Sequence, residues 1–460
     1  MRRIVFLGFA ATIALAPLPL GSNRAWSWSP LAVVVGGLLL AWTAANWIQA
    51  DHHRPAFARF GALLVPSALL AVVVGWGFLQ LSGWTPAAWK SPISAAAALG
   101  LAAPSSSAMA FEREQALTGT MRLLTYAGVF VLGASLPASA ADVRRLLGTI
   151  VCSATIYTLY AVAAIVANAP ATGITLWTQH VTYTYVLSGP FINANTFATY
   201  AGVATLTALA LAAQAPPAGG FRETTAQQWR RRLRAISGHT GFWLATALIL
   251  ATGVLLSASR AGGVSLVVAV LVMVALYTRG IGRLAFTVLT VFSVALVAIL
   301  MPAGRTLVLR TARLVAEGES GREALFAMTL NAISLRPLAG WGMNSFESLY
   351  FLFQPIGRPE YFDKAHNTYL ELAFDLGIPA AAMLVLAVAW IVTRCLVGFF
   401  NRGRDRELAG LGFFAAVLVG VHALFDFSLQ IPGMACTFFA ILGLAWSQSW
   451  STRPARGEGQ

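Results

Sequence analysis

The chain has 460 residues, 58% of them hydrophobic and only 10% charged, with a mean hydropathy of +0.71. Soluble domains carry about a quarter charged residues, so there is too little polar surface here to coat a water-soluble globule. At about 20 apolar residues per crossing, about twelve crossings fit, and the composition predicts an all-α polytopic membrane protein. The net charge of +14 does not argue for nucleic acid, because cytoplasmic loops of membrane proteins accumulate Lys and Arg.

In chain order, apolar runs predict spans over 4–21, 28–48, 60–82, 121–140, 146–167, 196–214, 241–257, 262–278, 284–301, 378–399, 408–428 and 432–449. The first run follows Met1-Arg2-Arg3 and has no small-residue cleavage site behind it, so it reads as a helix rather than a signal peptide. Basic residues gather in alternate loops, at Arg2/Arg3, Arg54/Arg59, Arg144/Arg145, Arg222 to Arg234, Arg279/Arg283, Arg394 to Arg406 and Arg453/Arg456. The positive-inside rule puts these loops and both termini in the cytoplasm. The opposite face then receives 83–120, 168–195, a tight turn at 258–262 and the long stretch 302–377.

That last stretch is longer than connectivity requires, and such loops usually carry function. Arg322 to Leu335 repeats apolar residues at helical spacing until Arg336-Pro337 stops it. A second helix is expected to start at Asp363 as N-cap, with His366 in its first turn, and to end at Gly377. The division expected is N-terminal spans over 1–180, a core over 181–450 that includes the loop 302–377, and a tail over 451–460. The cysteines Cys152, Cys395 and Cys436 show no CxxC spacing and suggest neither a metal site nor a disulfide framework.

Several polar residues interrupt this apolar background. Arg260, in Ser257-Ala258-Ser259-Arg260-Ala261-Gly262, sits in a short turn at the membrane edge, where a guanidinium either grips an anion or snorkels to headgroups. His366 at a helix start is a candidate base for a hydroxyl, or an ordinary interfacial histidine. Arg322 and Arg336 could join them in a basic pocket or pair with the acids of the same loop. His422 and Asp426 stand at i, i+4 and would share one helix face, for substrate or for locking helices. Asn193 and Asn195 precede the sixth run and could hold sugar hydroxyls or cap a helix. No GxxxxGK[ST], HExxH or outward DxD cluster occurs, so no ATPase site, metal or cofactor is expected.

Taken in order, Gly189 to Asn195, Ser257 to Gly262, Ser320-Gly321-Arg322, Pro337 to Gly342, His366-Asn367 with Gly377 beyond it, and His422 to Phe427 with Gln430-Ile431-Pro432 resemble the O-antigen ligase and O-antigen polymerase superfamily. The resemblance covers about 180–440. Where the family's outer-loop pattern ends in Gly, Thr or Tyr this chain has Ala380, which moves the reading from the ligase proper toward polymerase-like relatives. The resemblance implies a GT-C-like bundle of the bacterial inner membrane with a periplasmic active site. It also implies an inverting, metal-independent transfer of a glycan from undecaprenyl diphosphate to a hydroxyl of lipid A-core or of a growing polysaccharide. His366 would then be the base or position the acceptor, and Arg260 and Arg322 would clamp the diphosphate, with Asn367 beside them. The competing expectation is a transporter or flippase, which predicts charges inside many spans and a pair of interrupted helices.

Overall fold

The computed structural model describes residues 1–48, 61–86, 89–90, 108–166, 186–214, 238–278, 322–354 and 361–450. Among them the architecture is helical throughout, with no strand. The helices are α1 (Arg2–Leu15), α2 (Ala25–Ile48), α3 (Leu64–Leu81), α4 (Arg113–Ser135), α5 (Ala140–Val166), α6 (Ala194–Ala212), α7 (His239–Leu256), α8 (Arg260–Thr278), α9 (322–335), α10 (Phe346–Phe353), α11 (Thr368–Leu376), α12 (Ile378–Asn401), α13 (Arg406–His422) and α14 (Pro432–Ser447). The expected span over 284–301, the loop 302–321 with Arg310 and Arg313, and the basic cluster at 222–234 lie outside the described residues.

Seven helices are long and apolar enough to cross a membrane: Ala25–Trp47, Gly61–Leu81, Arg113–Ser135, Ala140–Ala164, His239–Leu256, Arg260–Tyr277 and Ile378–Asn401. The chain is thus a multi-pass membrane protein, with seven spans by length and composition among the described residues where the hydropathy pattern predicts about twelve over the whole chain. The expected span 284–301 is not among those residues, and part of the remaining difference has a structural source. The run at 4–21 breaks after Leu15 into a turn where Leu20 and Ser22 take positive φ. Helices α6 and α14 lie inside the bundle, almost wholly covered by neighbours, so they need small residues for close packing more than a lipid-facing apolar skin.

Helix α6 is the hub, touching α5, α7, α8, α13 and α14. Its Ala and Thr side chains let these neighbours close in, and Thr199, Thr205 and Thr207 return their hydroxyls to the carbonyl one turn back, as Thr205 Oγ1 does to Ala201 O at 2.8 Å. Helices α4 and α14 meet through glycine. A Cβ on Gly443 would lie 2.3 Å from Phe130 O, and one on Gly133 would lie 2.9 Å from Ala440 O.

The long loop builds a second, separate core. Leu325, Met328 and Ile333 of α9, Phe346 and Leu349 of α10, and Phe374 of α11 pack around Trp341. Trp341 stands 5.2 Å from Phe353 and 6.2 Å from Phe374, centroid to centroid, and its indole N–H donates to Ala332 O at 2.9 Å. Residues 322–335 are helical, and α9 ends before Arg336-Pro337 as the periodicity predicts. Gly377 stops α11 with φ +80, and Gly340 with φ +66 fits against it, since a Cβ on Gly377 would meet Leu338 O at 2.3 Å. Only glycine supports both the conformation and the approach.

Two predicted features differ. The cap of α11 is Asn367, whose side chain accepts from Tyr369 N and Leu370 N, while Asp363 lies in an exposed bend. His366 therefore precedes the helix. The run at 408–428 is helical only to His422, because residues at the start of α11 take up the next carbonyls. Thr368 N donates to Ala423 O at 2.9 Å, Asn367 Nδ2 to Leu424 O at 3.0 Å, and Thr368 Oγ1 to Asp426 O at 2.9 Å. His422 and Asp426 consequently do not share a helix face.

Candidate active site

His366 has φ +50, a left-handed conformation that non-glycine residues rarely hold. Its ring lies between those of Phe427, 4.9 Å away, and Phe362, 5.8 Å away, both edge-on, and its Nδ1 is buried without a hydrogen-bond partner. Burial pushes the imidazole down to about 4 from an ordinary 6.5, and the Arg322 guanidinium pushes in the same direction. The ring is therefore neutral at neutral pH.

Arg322 lies in α9, and its charge also acts on His422 and Asp426. His422 is buried, with Nδ1 at 3.3 Å from Ser428 Oγ and Nε2 unpaired. Asp426 accepts from Phe427 N at 2.6 Å through one oxygen and leaves the other, Oδ2, unpaired. The Asn195 side chain is close enough to act on the Asp426 carboxylate. Asn193 is the N-cap of α6 and accepts from Asn195 N at 2.7 Å. Three buried polar atoms without partners among the described residues thus gather around one cation: His366 Nδ1, His422 Nε2 and Asp426 Oδ2. Unpaired buried polar atoms are costly, and their clustering marks a place shaped for a ligand.

Arg260 belongs to the same end of the bundle. It is the first, exposed residue of α8, after a turn in which Ala258 takes φ +54 and Ser259 Oγ caps Gly262 N at 3.1 Å. The serines of this motif are spent on the helix ends, as Ser257 Oγ also donates to Val254 O. Gly262 brings α8 against Ala198, where a Cβ would lie 2.5 Å from the alanine's. Ala198 follows Asn195 on α6, and Thr199 Oγ1 reaches Ser428 Oγ at 3.1 Å. Arg260 and the His366 cluster therefore stand on two sides of the α6 N-terminus.

Arg336 is separate. It is buried, donates through Nη1 to Met109 O at 3.0 Å and through Nη2 to Trp89 O, and lies 5.1 Å over the Trp341 ring. Its hydrogen bonds pin residues 89 and 109 to the loop core. Asn367 is likewise committed as cap and as donor to Leu424 O.

Sequence reasoning missed Lys364, Glu371, Asp375 and Arg122. Lys364 and Glu371 form a buried ion pair at 3.6 Å. Burial raises both the Glu371 and Asp375 carboxyls, Lys364 opposing the shift at each. Arg122 lies inside a span, 5.3 Å over the Trp28 ring. Arg122, Glu371 and Asp375 line a cavity of about 340 Å³ that starts at Thr368, two residues from His366, and continues between α4, α12, α13 and α14 past Leu384, Val388 and Phe438. Its size lies in the range of about 300–1,000 Å³ seen for small-molecule sites. The available signal was a charge interrupting an apolar run at Arg122, and the i, i+4 carboxyls Glu371 and Asp375 on one face of α11.

Residues 245–385 match the family model described as O-Antigen ligase. The match includes Arg260, Arg322, His366, Asn367 and Gly377 and ends before His422. No curated protein matches the chain. Over 245–385 this membrane protein carries an O-antigen ligase family domain, that of a glycosyl-transferring enzyme of the ligase and polymerase type.

Proposed function

We propose that the protein transfers a glycan from undecaprenyl diphosphate to a hydroxyl acceptor, with inversion and without a metal, at the periplasmic face of the bacterial inner membrane, with both termini cytoplasmic. The observation that carries this reading is the group of unpaired atoms on His366, His422 and Asp426 around Arg322, with Arg260 across the start of α6. Anions gain from guanidinium forks and from helix N-termini, and α8 begins with an arginine.

In the proposed step the acceptor oxygen attacks the anomeric carbon from the face opposite the diphosphate. The bond from that carbon to the diphosphate oxygen breaks, and its electron pair leaves with the diphosphate. The hydroxyl proton passes to the neutral His366 imidazole. Arg322 and Arg260 stabilise the charge that develops on the leaving group. A bound diphosphate also screens Arg322, which raises the His366 pKa and makes the ring a better base when donor is present. His422 and Asp426 orient sugar hydroxyls beside Asn195. The apolar cavity from Thr368 to Val392 accommodates a hydrocarbon chain of a lipid-linked substrate.

The test is transfer in purified form. Protein supplied with prenyl-diphosphate-linked glycan and a hydroxyl acceptor is expected to release prenyl diphosphate and elongate the acceptor. Absence of both products with every acceptor class would overturn the reading. Glycans of a deletion strain distinguish the acceptor: full-length unligated chains on the carrier indicate a ligase, and single repeat units indicate a polymerase.

A further inference from the structure

We propose that Glu371 is a positioning residue that holds His366 in its left-handed conformation, an inference that rests on the reading of His366 as the group that takes the acceptor proton. Glu371 lies in the first turn of α11, is 2% exposed, and reaches back past the helix cap. One carboxylate oxygen accepts from Ala365 N, the residue before His366, at 2.8 Å. The other faces Lys364 Nζ at 3.6 Å. A buried carboxylate that could have remained in water thus engages the two residues preceding the imidazole, with the Gln430 side chain also acting on it.

The other side of His366 is fixed as firmly. Asn367 caps α11 and donates to Leu424 O, and Thr368 N donates to Ala423 O. A residue between two pinned segments cannot relax its φ unless one of them moves, which is how strained conformations persist at functional sites. The Glu371 anchor itself leads back to the membrane bundle. Lys364 Nζ donates to Asn344 Oδ1 at 3.2 Å, Asn344 N to Asp375 Oδ2 at 2.7 Å, and Asn344 Nδ2 to Gln115 Oε1 of α4 at 2.8 Å. Asn344 is also left-handed, with φ +59. The chain Gln115, Asn344, Lys364, Glu371 therefore ties the backbone beside His366 to a membrane-spanning helix, with no member offered to the reacting atoms.

If Glu371 acts through His366, its loss falls mainly on turnover, with a smaller effect on donor affinity because Glu371 also lines the apolar cavity. Glu371→Ala is expected to lower kcat about 100-fold, the cost of an ångström-scale misplacement, with a much smaller change in KM for the lipid-linked donor, whose cavity Glu371 also lines. Glu371→Gln keeps an acceptor for Ala365 N–H and should recover most of that loss. In a His366→Ala background, Glu371→Ala should change residual turnover by less than about twofold, because residues acting as a unit are not additive. Wild-type kcat in Glu371→Ala, or an equal drop in both backgrounds, would overturn the inference. Should Glu371→Ala fail to fold, Glu371→Gln carries the test: a fall in kcat of about threefold or more is expected only when His366 is present, and no fall, or the same fall without His366, overturns it. Wild-type turnover in His366→Ala alone would remove the reading of His366, whereas an inactive His366→Ala beside a fully active Glu371→Ala removes only the role of Glu371.

Discussion

The membrane bundle and the cap that 322–377 builds over it are stabilised in opposite ways. Around α6 the bundle is apolar, regular and close-packed, and its specificity comes from Ala, Thr and Gly at helix crossings. The cap has its own aromatic core around Trp341, left-handed residues at Asn344 and His366, and a buried Lys364–Glu371 pair. Regular backbone with apolar side chains is stable anywhere in a bilayer. Strain and buried charge persist only where the surroundings determine them, and here they surround the proposed reacting group. On the proposed reading the cap supplies the reacting group His366, while the bundle supplies rigidity and Arg260 at the start of α8.

Substitutions can test this division, and the largest effects belong to the two residues of the proposed site, His366 of the cap and Arg260 at the start of α8. His366→Ala and Arg260→Ala are expected to reduce glycan transfer by 100-fold or more, on the order of the loss of a general base or an anion-stabilising donor, with membrane insertion intact. Wild-type transfer by both, measured in vesicles with lipid-linked donor, would break the comparison.

The two loop arginines should separate next. Arg322→Ala is expected to lose about 100-fold in turnover while its thermal midpoint stays near wild type. Arg336→Ala should instead unfold the cap, because Met109 O and Trp89 O lose their donor, at a cost of about 1–3 kcal/mol. Thermal melting and activity measured on the same preparations would settle which arginine serves which purpose.

A pH series sharpens the contrast. His366 binds its proton at about 4 in the folded protein against 6.5 ordinarily, so between those values the unfolded chain carries more protons. Stability from this group is therefore complete above about 6.5 and is lost as pH falls toward 4. The acid limb of kcat/KM should lie near 4, and neutralising Arg322 should move it upward, since its charge is one cause of the depression. An acid limb near 6.5 in wild type would contradict the burial described.

Smaller effects are expected in the bundle. Gly443→Ala forces a methyl against Phe130 O and should destabilise by about 1–3 kcal/mol, with turnover of the folded fraction unchanged. Asn367→Ala, removing the cap of α11, should cost about 1 kcal/mol, read as a shift in thermal midpoint.

How much of this was legible in the sequence follows the same line. Hydropathy placed most of the described bundle helices, and periodicity placed the helical stretch 322–335 and its stop at Arg336-Pro337, because those signals are local. Gly377 was legible as a stop because few other residues suit such a turn. Asp363 and Asn367 are near-equal caps by residue type, and the burial of Lys364 beside Glu371, a tertiary fact, selects Asn367. The i, i+4 spacing of His422 and Asp426 misled for a similar reason, since distant Thr368 and Asn367 take the carbonyls that end α13. The roles of Arg322 and Arg336 were not separable from type or spacing; Met109, Trp89 and Trp341 tell them apart.

The central claim is that a prenyl-linked diphosphate is gripped between Arg260 and Arg322 beside His366. Its most direct measurement is the Kd of prenyl diphosphate for purified wild type, the Arg260→Ala/Arg322→Ala double variant and His366→Ala. The double variant is predicted to bind at least about 100-fold more weakly, about 1.4 kcal/mol or more per lost arginine, and His366→Ala to bind within about twofold of wild type. Equal affinity across all three proteins would contradict the account.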